Sequence, residues 1–540
     1  MKSIYFTPGA SGRALKHLAV AGLWALLLNT TAFGQAAAPV VSCESLAKLT
    51  LPDTTITMAQ SLGAGEFKAP ERGRPRETVR SADGKPFVGA PRTDAKPVPA
   101  FCRVAATLKP SNDSNIKIEV WLPLSGWNGK FWGEGNGGTA GEISYQGLVD
   151  AVQRGYAAAS TDTGHDSSKP EETEMHFALG HPEKVIDYGH RAIHLMTVEG
   201  KEFVKTFYGV APKHSYFFGY SLGGYQSITE ARRYPEDYDG ISSGKPIPSL
   251  VLFNAEQLWP AWLISKNPAK FIPESKYVMI HEAVMKQCDA LDGVKDGQIT
   301  EPDKCSFDLQ VLLCKGEDGP DCLTAPQVEL MKETYQGPVN PRTKKSIFPG
   351  PALGGELAQF FWFANFEPRQ NMLETYKYVV FQDPNWDWKT LDFDKDIDFA
   401  LQRTSKDMLT DANLKEFVDR GGKIMMYIPW VDYHNGTQVA GYYEDVVKTV
   451  GADKARNSVR LFQVPCIGGA SCEAWDKVGT LEKWVESGKA PEQVLQSYSV
   501  DGKTRTRPVC AYPKVPQYKG TGDTDSAENF VCGESKFAKK

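Results

Sequence analysis

The chain has 540 residues, of which 41% are hydrophobic and 24% are charged, and its formal net charge is −5. This composition is that of a soluble globular protein, and the length is too great for one small hydrophobic core. The negative net charge argues against nucleic acid as a partner, because domains that bind nucleic acid are usually basic.

The first 34 residues have the features of a secretory signal peptide. Lys2, Arg13 and Lys16 precede an apolar run, Leu18–Leu28, and small residues follow the run. The run is too short to span a bilayer comfortably, although an uncleaved anchor is the alternative. No later segment is long and apolar enough to span a membrane. We therefore expect residues 1–34 to be removed and the mature protein to be secreted or periplasmic, without a membrane segment.

A predicted strand followed by a glycine-rich loop comes next in the chain. Apolar and polar residues alternate through Ile116–Leu122 before a proline ends the strand, and the glycine-rich loop is Phe131–Gly141. When a Gly-x-Ser-x-Gly turn follows later in the chain, a loop at this place can supply a backbone N–H for an oxyanion hole. Gly137 or Gly138 is the candidate here. The alternatives are a flexible connection or a phosphate loop, but the Gly-Lys-Ser/Thr ending of a phosphate loop is missing.

The strongest candidate for chemistry is a Gly-x-Ser-x-Gly sequence centred on Ser221. An aromatic strand that starts at Ser215 leads into it, and a helical pattern follows from Gln226. A serine at such a strand-to-helix turn presents its hydroxyl as a nucleophile, and the flanking glycines leave room for the turn. The N–H of Leu222 and the helix N-terminus would face a developing oxyanion. The alternative is an ordinary connection whose serine takes no part in chemistry.

Strands and helices alternate around this turn, which predicts a parallel sheet. The further strands are predicted at Tyr156–His165, Gly240–Lys245, Gly422–Asp432 and Val459–Cys466, and the helices at Ile186–Tyr208 and around Leu481–Val485. Residues 246–395 are instead helical and turn-rich, with a capping box at Thr324–Gln327. We interpret residues 246–395 as an inserted lid domain and residues 43–245 and 396–540 as the core. A polar, proline-rich tail ends the chain.

Several segments between Cys43 and Cys532 are specific enough to carry a family resemblance. They are Trp127–Phe131 with the glycine-rich loop, Thr161–His165, Tyr234–Gly240, Leu323–Val328, Gly337–Thr343 with Phe348–Gly350, Arg505–Cys510 and Glu528–Cys532. Together they resemble the tannase/feruloyl esterase family, which includes the mono(2-hydroxyethyl) terephthalate hydrolases. The resemblance implies an α/β-hydrolase core, with a mostly parallel sheet and helices on both faces, and a large inserted lid. It also implies that a serine hydrolyses a small-molecule aromatic (phenolic) ester.

The ten cysteines predict disulfides rather than a zinc site. Cysteines pair in an oxidising compartment, and no Cys-x-x-Cys or Cys/His zinc spacing is present. The resemblance implies the bridges Cys43–Cys102, Cys288–Cys305, Cys314–Cys322 and Cys510–Cys532. Cys466 and Cys472 remain and lie six residues apart, so we predict a local bridge between them.

An acidic loop between Cys288 and Cys305 is the predicted cofactor site. The resemblance implies a calcium ion held by Asp289, Asp292, Val294, Asp296 and Gln298. The residues agree with this, because carboxylates and the backbone carbonyls of a tight loop are the hard oxygen ligands that Ca²⁺ prefers. The alternative is a solvated acidic loop. Because a disulfide would close the loop, we expect the ion to be structural.

The chain departs from the family pattern where the catalytic base should be. Family members carry a cysteine before the nucleophile and a His-Cys pair late in the chain, and a disulfide joins the two cysteines. Here Tyr220 precedes the serine, and the late segment Pro465–Cys472 contains no histidine. Tyr220 either fills the space of the missing disulfide or donates to a substrate oxygen. Asp432 matches the family's triad acid, so the catalytic base is the triad member without a residue at its expected position.

Three hypotheses for the base follow. His434 is the first, because its loop adjoins the one that lost its histidine, although a spacing of two residues from Asp432 is cramped for an acid–base pair. Lys245 is the second, as a desolvated lysine with a lowered pKa, against the alternative of a surface or salt-bridged lysine. In the third, the site is degenerate or repurposed and binds an aromatic ester or acid without hydrolysing it. In either hydrolytic case Gly138 and Leu222 would form the oxyanion hole.

Overall fold

A nine-stranded sheet lies at the centre of the molecule. The computed structural model describes residues 38–70, 97–357, 366–465, 473–500 and 502–537. The order of the strands across the sheet is β1-β2-β3-β5-β4-β6-β7-β8-β9. These strands are β1 (Thr54–Leu62), β2 (Phe101–Leu108), β3 (Ile116–Pro123), β4 (Lys130–Glu134), β5 (Ala157–Thr161), β6 (His214–Tyr220), β7 (Gly240–Gly244), β8 (Lys423–Pro429) and β9 (Val459–Val464). The predicted signal peptide and the predicted Cys466–Cys472 bridge lie outside the described residues.

The strands β5, β4, β6, β7, β8 and β9 are each parallel to their neighbours in this part of the sheet. The pairs β1–β2, β2–β3 and β3–β5 are antiparallel. Every residue of β5, β7 and β9 is buried, as expected for parallel strands covered on both faces. The predicted mostly parallel sheet is confirmed, whereas β1 and β2, which extend it at one edge, were not predicted. The carboxyl ends of the parallel strands meet at one edge, where sites form in such sheets.

Helices cover both faces of the sheet and build two hydrophobic cores. One core contains residues of α3, α4 and α11, and the other contains residues of α1 and α13. The α-helices among the described residues are α1 (Tyr145–Gln153), α2 (Pro182–Ile186), α3 (Ala192–Tyr208), α4 (Leu222–Arg233), α5 (Leu250–Lys266), α6 (Glu274–Cys288), α7 (Ala325–Gln336), α8 (Gln370–Glu374), α9 (Lys395–Thr404), α10 (Lys415–Asp419), α11 (Gly436–Val450), α12 (Ala452–Ser458) and α13 (Lys477–Ser487). Short π-helical turns adjoin α2 and α8 at Asp187–Arg191 and Thr375–Val380.

The helical segment between β7 and β8 has a hydrophobic core of its own. Leu258, Ile280, Leu330 and Tyr376, from different helices of the segment, are fully buried in it. The capping box predicted from the sequence opens α7, where Thr324 and the side chain of Gln327 cap each other's backbone. A separate core explains how this segment can be inserted between two strands without disrupting the sheet.

The C-terminal segment is more structured than the predicted polar tail. It forms two antiparallel two-stranded sheets, one of β10 (Gln493–Val500) and β11 (Lys503–Cys510), the other of β12 (Val515–Tyr518) and β13 (Phe530–Gly533). The proline-rich composition hid them, although prolines are tolerated in edge strands.

Four disulfides join the described cysteines in the pairs that the family resemblance implies. They are Cys43–Cys102, Cys288–Cys305, Cys314–Cys322 and Cys510–Cys532. The last bridge ties β11 to β13 and so fixes the C-terminal strands to each other. In the described ranges, no helix combines the length and the apolar character needed to cross a membrane.

Candidate active site

Ser221 lies at a sharp turn between β6 and α4, at the carboxyl edge of the sheet. Its backbone has φ 60° and ψ −113°, a conformation that non-glycine residues rarely adopt. A Cβ atom at Gly219 would lie 2.0 Å from the carbonyl oxygen of Gly223, and one at Gly223 would lie 3.1 Å from the carbonyl oxygen of Asn136. The turn therefore needs both glycines because its backbone segments approach too closely for a side chain.

The hydroxyl of Ser221 is hydrogen-bonded to His434. Ser221 Oγ lies 2.8 Å from His434 Nε2, and His434 Nδ1 lies 2.6 Å from Asp432 Oδ1. The same carboxylate oxygen accepts the backbone N–H of His434 at 2.9 Å. The three side chains thus form a continuous hydrogen-bonded chain from the Ser221 hydroxyl through the imidazole to the carboxylate, an arrangement that can activate a serine.

A tight turn after β8 makes the short Asp432–His434 spacing possible. The N–H of Asn435 donates to the carbonyl of Asp432 at 2.9 Å, and Asn435 takes a positive φ of 68°. The turn brings the imidazole back over the carboxylate of its own loop while its other edge faces the serine. The spacing that looked cramped in the sequence is therefore compatible with an acid–base pair.

Lys245 directly follows β7 and pairs with the triad acid. Its Nζ lies 2.6 Å from Asp432 Oδ2 and 3.9 Å from Glu473 Oε1. Burial alone would lower the pKa of Lys245, but the attraction of Asp432 and Glu473 outweighs burial and raises the pKa above its ordinary value. The prediction that Lys245 has a lowered pKa, which a lysine base would require, is therefore wrong. The structure favours the salt-bridged alternative for this residue.

The electrostatics of the site keep His434 neutral and Asp432 ionised. Burial lowers the pKa of His434, and the attraction of Asp432 only partly offsets it. Burial would raise the pKa of Asp432, but Lys245 and His434 overcome that effect and hold the pKa far below its usual range. At neutral pH the imidazole can accept a proton, and the carboxylate can stabilise the imidazolium that results.

The glycine-rich loop is tied to the start of α4, as an oxyanion hole requires. The carbonyl of Asn136 accepts the N–H of Gly223 at 2.7 Å, and the side chain of Gln226 accepts the N–H of Asn136 at 2.9 Å. Gly138 follows in the same loop with a positive φ of 61°. Leu222 is the first residue of α4, so its N–H is among those that find no acceptor within the helix.

Three residues at the site carried no recognisable signal in the sequence. The ring of Tyr433 lies 3.9 Å from that of His434, and Phe253, from α5, stacks on His434 at 5.6 Å. The carboxyl group of Glu473 interacts electrostatically with the hydroxyl of Tyr220, and burial raises the pKa of Glu473 to about 7. Tyr220 stands over the ammonium of Lys245 at 4.8 Å, so it packs into the site instead of pointing away from it. Only a folded chain brings these residues together, because they come from separate segments.

The predicted calcium loop keeps its aspartates close together. Asp289 Oδ1 accepts the N–H groups of Asp296 and Gly297 at 3.2 and 3.0 Å. The pKa of Asp292 is raised by burial and by the nearby charges of Asp296 and Asp289. A hard divalent cation would relieve this repulsion, and carboxylate and carbonyl oxygens are the ligands that such a cation prefers.

Other contacts of the loop bear on how it would hold an ion. The N–H groups of Val294 and Gln298 donate to Asp292 and Asp296 at 2.9 and 3.2 Å, which leaves the two backbone carbonyls as the ligands that these residues would offer. Arg507 pairs with Asp296 and offsets part of the negative charge. In the part of the chain that the structure describes, the three carboxylates do not all lie within 4.8 Å of one another. The donor set fits calcium, but the carboxylates would have to converge around it.

Comparisons with known proteins agree on one relationship. The model of the family described as tannase and feruloyl esterase matches residues 102–533. An esterase of Xanthomonas campestris pv. campestris is 34% identical over 95% of each chain. A probable feruloyl esterase B-1 of Aspergillus fumigatus is 31% identical over 83% of this chain and 88% of the relative. The crystal structure of feruloyl esterase B from Aspergillus oryzae superposes with a TM-score of 0.80 at 26% identity, covering 91% of this chain and 99% of that one.

Proposed function

The chain belongs to the tannase and feruloyl esterase family of α/β-hydrolases, and on that premise we propose that it hydrolyses phenolic carboxylic esters through Ser221. The observation that carries the proposal is the hydrogen-bonded chain from Ser221 through His434 to Asp432, at 2.8 and 2.6 Å. The ester class is supported by relatives that are named as feruloyl esterases.

In this mechanism His434 Nε2 accepts the proton of Ser221 Oγ as the oxygen attacks the ester carbonyl. The N–H groups of Leu222 and Gly138 stabilise the negative charge that forms on the carbonyl oxygen. The imidazolium then gives its proton to the departing alcohol, which leaves an acyl-enzyme. Water, deprotonated by the same histidine, releases the acid and restores the serine. Asp432 holds the ring in orientation throughout and stabilises its charged form.

The proposed function depends on His434 serving as the base in place of the family's late histidine. A protein without a base at the serine would bind the ester without cleaving it, which was the third hypothesis from the sequence. The geometry supports hydrolysis because His434 reaches the serine and its lowered pKa leaves it unprotonated at neutral pH. The degenerate alternative lacks a comparable observation in its favour.

An assay on the purified protein tests the proposal directly. Methyl ferulate, methyl gallate and a p-nitrophenyl ester should each be offered, with release of acid or nitrophenol as the readout. We expect turnover of at least one phenolic ester. Calorimetric binding of these esters without any turnover would contradict the proposal and support the binding-only alternative.

The activity should persist into mildly acidic solution. Hydrolysis requires neutral His434, so kcat/KM rises with pH through the pKa of this group in the free enzyme. Because burial lowers that pKa, the midpoint of the acidic limb should lie below the ordinary histidine value of about 6.5. A pH profile of kcat/KM with an uncharged ester measures it. A midpoint well above 6.5 would show that the histidine is not held in this environment.

We propose that the acidic loop binds a structural calcium ion through Asp289, Asp292 and Asp296, with backbone carbonyls of Val294 and Gln298. An ion that binds only the folded chain stabilises it, so EGTA should lower the melting temperature and added Ca²⁺ should restore it. Calorimetry or fluorimetry measures the shift. In the variant Asp289→Asn the melting temperature should no longer respond to EGTA. Equal melting temperatures with and without Ca²⁺ would contradict the site.

Secretion or export to the periplasm remains a prediction from residues 1–34. Small and charged residues flank the apolar run as they do in cleaved signal peptides. N-terminal sequencing of the protein recovered outside the cytoplasm should begin close to residue 35. A chain recovered with Met1 still in place would contradict cleavage.

A further inference from the structure

We propose that Lys245 is a positioning residue: its ammonium fixes the carboxylate of Asp432 in the orientation that receives His434. The inference rests on the proposed ester hydrolysis, since it assigns a role within the same site. It differs from the lysine-base hypothesis because here the side chain stays protonated and acts through Asp432.

The backbone of Lys245 lies at the junction between the nucleophile turn and the strand that carries the acid. Its N–H donates to the carbonyl of Tyr427 in β8 at 2.8 Å, and the preceding carbonyl, of Gly244, accepts the N–H of Ser221 at 3.0 Å. Lys245 also takes a positive φ of 51°. A Cβ atom at Gly224, in α4, would lie 2.9 Å from the carbonyl oxygen of Lys245, so the helix packs directly on this backbone. The side chain therefore starts from a point that is fixed to the serine.

The ammonium group reaches the oxygen of Asp432 that the histidine does not use. Oδ1 of Asp432 accepts both the backbone N–H and the Nδ1–H of His434, whereas Oδ2 lies 2.6 Å from Lys245 Nζ. Lys245 is only 5% exposed, so water cannot readily replace it as the partner of Oδ2. With both oxygens engaged on different sides, the carboxylate cannot rotate away from the imidazole.

The same ammonium lies near carboxylates from the segments that follow two neighbouring strands. Lys245 follows β7, Asp432 follows β8, and Glu473, which lies 3.9 Å from the ammonium, comes after β9. Glu473 also interacts electrostatically with Tyr220, the residue just before Ser221. A chain of polar contacts therefore runs from Tyr220 through Glu473 and Lys245 to Asp432, and it links the serine turn to the histidine turn.

The positive charge of Lys245 determines the direction in which the pKa of His434 should shift when this lysine is replaced. A positive charge beside Asp432 disfavours a second positive charge on His434, and it contributes to the lowered pKa of the ring. Removing it should raise that pKa and move the acidic limb of kcat/KM to higher pH. The other titratable or charged groups around the pair, from the elements packed against it, are Tyr433, Tyr220, Tyr427, Glu473, Lys477 and Arg369.

The test compares Lys245→Met with the charge-preserving Lys245→Arg, using pH profiles of kcat/KM. We expect Lys245→Met to lower kcat at least tenfold and to move the acidic limb upward by about one pH unit. Lys245→Arg should keep the limb close to that of the unchanged protein. If Lys245→Met does not fold, Lys245→Gln is also uncharged and should show the same upward shift. An unmoved or lowered limb in the folded uncharged variant would overturn the proposal, because a merely structural lysine would reduce activity without moving it.

Two control variants test whether the shift of the acidic limb is specific to the removal of the Lys245 charge. Lys270 is a buried lysine of the lid and pairs with Glu333. Its replacement by methionine should leave the acidic limb of kcat/KM in place. Burial raises the pKa of Glu473 to about 7, so Glu473→Gln removes little negative charge in the range of the acidic limb, and the limb should stay in place or move slightly to lower pH. An upward shift in Glu473→Gln would overturn the assignment, because the limb would then report Glu473 and not the Lys245–Asp432 pair.

NMR titration of the His434 ring distinguishes failure of this inference from failure of the proposed function. The measurement needs no turnover, and the variant His434→Gln assigns the signal. A pKa that rises in Lys245→Met supports the charge coupling of Lys245 to the Asp432–His434 pair even if no ester is hydrolysed, whereas the loss of kcat in that variant reports the positioning of Asp432. An unchanged ring pKa would overturn it even if the protein is an active esterase.

Discussion

Replacing Ser221 with alanine is expected to lower kcat for a p-nitrophenyl ester by about 10⁴-fold or more. The serine oxygen is the protein atom that bonds to the acyl group in the proposed mechanism, and it lies 2.8 Å from Nε2 of His434. Alanine keeps the strained turn without the nucleophile. Binding of the ester should survive, because the substitution removes one oxygen atom and leaves Leu222 and Gly138 in place.

Steady-state kinetics and calorimetry on the same preparation measure the two effects. Ser405→Ala is the matched control, since this exposed serine follows α9 and bonds only to its own helix at Gln402. Its kcat should match that of the unchanged protein. Substantial turnover by Ser221→Ala would mean that another group attacks the ester, and the proposed mechanism would be wrong.

Replacing His434 with glutamine is expected to lower kcat by about 10⁴-fold as well, because members of a triad act as a unit. Glutamine can occupy the space and hydrogen-bond to the serine, but it cannot accept a proton at neutral pH. A loss of this size would show that His434, in the turn after β8, acts as the base. A small loss would show that the serine works without a base. Residual activity should no longer show an acidic limb that belongs to a histidine.

His281→Gln is the control for this second prediction. His281 lies in α6, between β7 and β8, and its Nδ1 bonds to Glu356 at 2.9 Å, so it is also paired with a carboxylate but belongs to a different segment of the chain from Ser221. We expect its kcat to stay within a few-fold of the unchanged protein. Equal losses in both variants would point to folding and not to proton transfer as the cause.

Much of the architecture was predictable because it depends on local pattern. Ser221 was identified from its two glycines, an aromatic strand before it and a helical pattern after it, and each of these is a short-range signal. The capping box at Thr324 was predictable for the same reason. The strands β1 and β2 were not, since their pairing is set by distant partners, and prolines concealed the strands near the C-terminus.

The site was predictable only up to the base. Asp432 and His434 could both be named, but the turn signal of Asn435-Gly436 does not show whether the ring of His434 faces the carboxylate two positions before it. Lys245 was assigned the wrong pKa direction because desolvation was weighed without Asp432 and Glu473. Those two charges come from other segments, and their attraction exceeds the effect of burial.

The site also shows what replaces a covalent link between nucleophile and base. The resemblance implied a cysteine pair at this place, and this chain has Tyr220 in the first of the two positions. The structure instead places Lys245 and Glu473, both buried, beside Asp432 and Tyr220 in a network of charged and polar contacts. Buried polar groups lose stability when one partner is removed, so such a network can hold the two turns in register only while it is complete.

Covalent labelling with a fluorophosphonate, followed by peptide mapping, tests the central claim most directly. The reagent reacts with a serine only when a base activates it, and it requires no knowledge of the natural ester. We predict one adduct per chain, on the peptide that contains Ser221, and a labelling rate at least about 100-fold slower in His434→Gln. No adduct on Ser221, or equal labelling of the two proteins, would contradict a serine activated by His434.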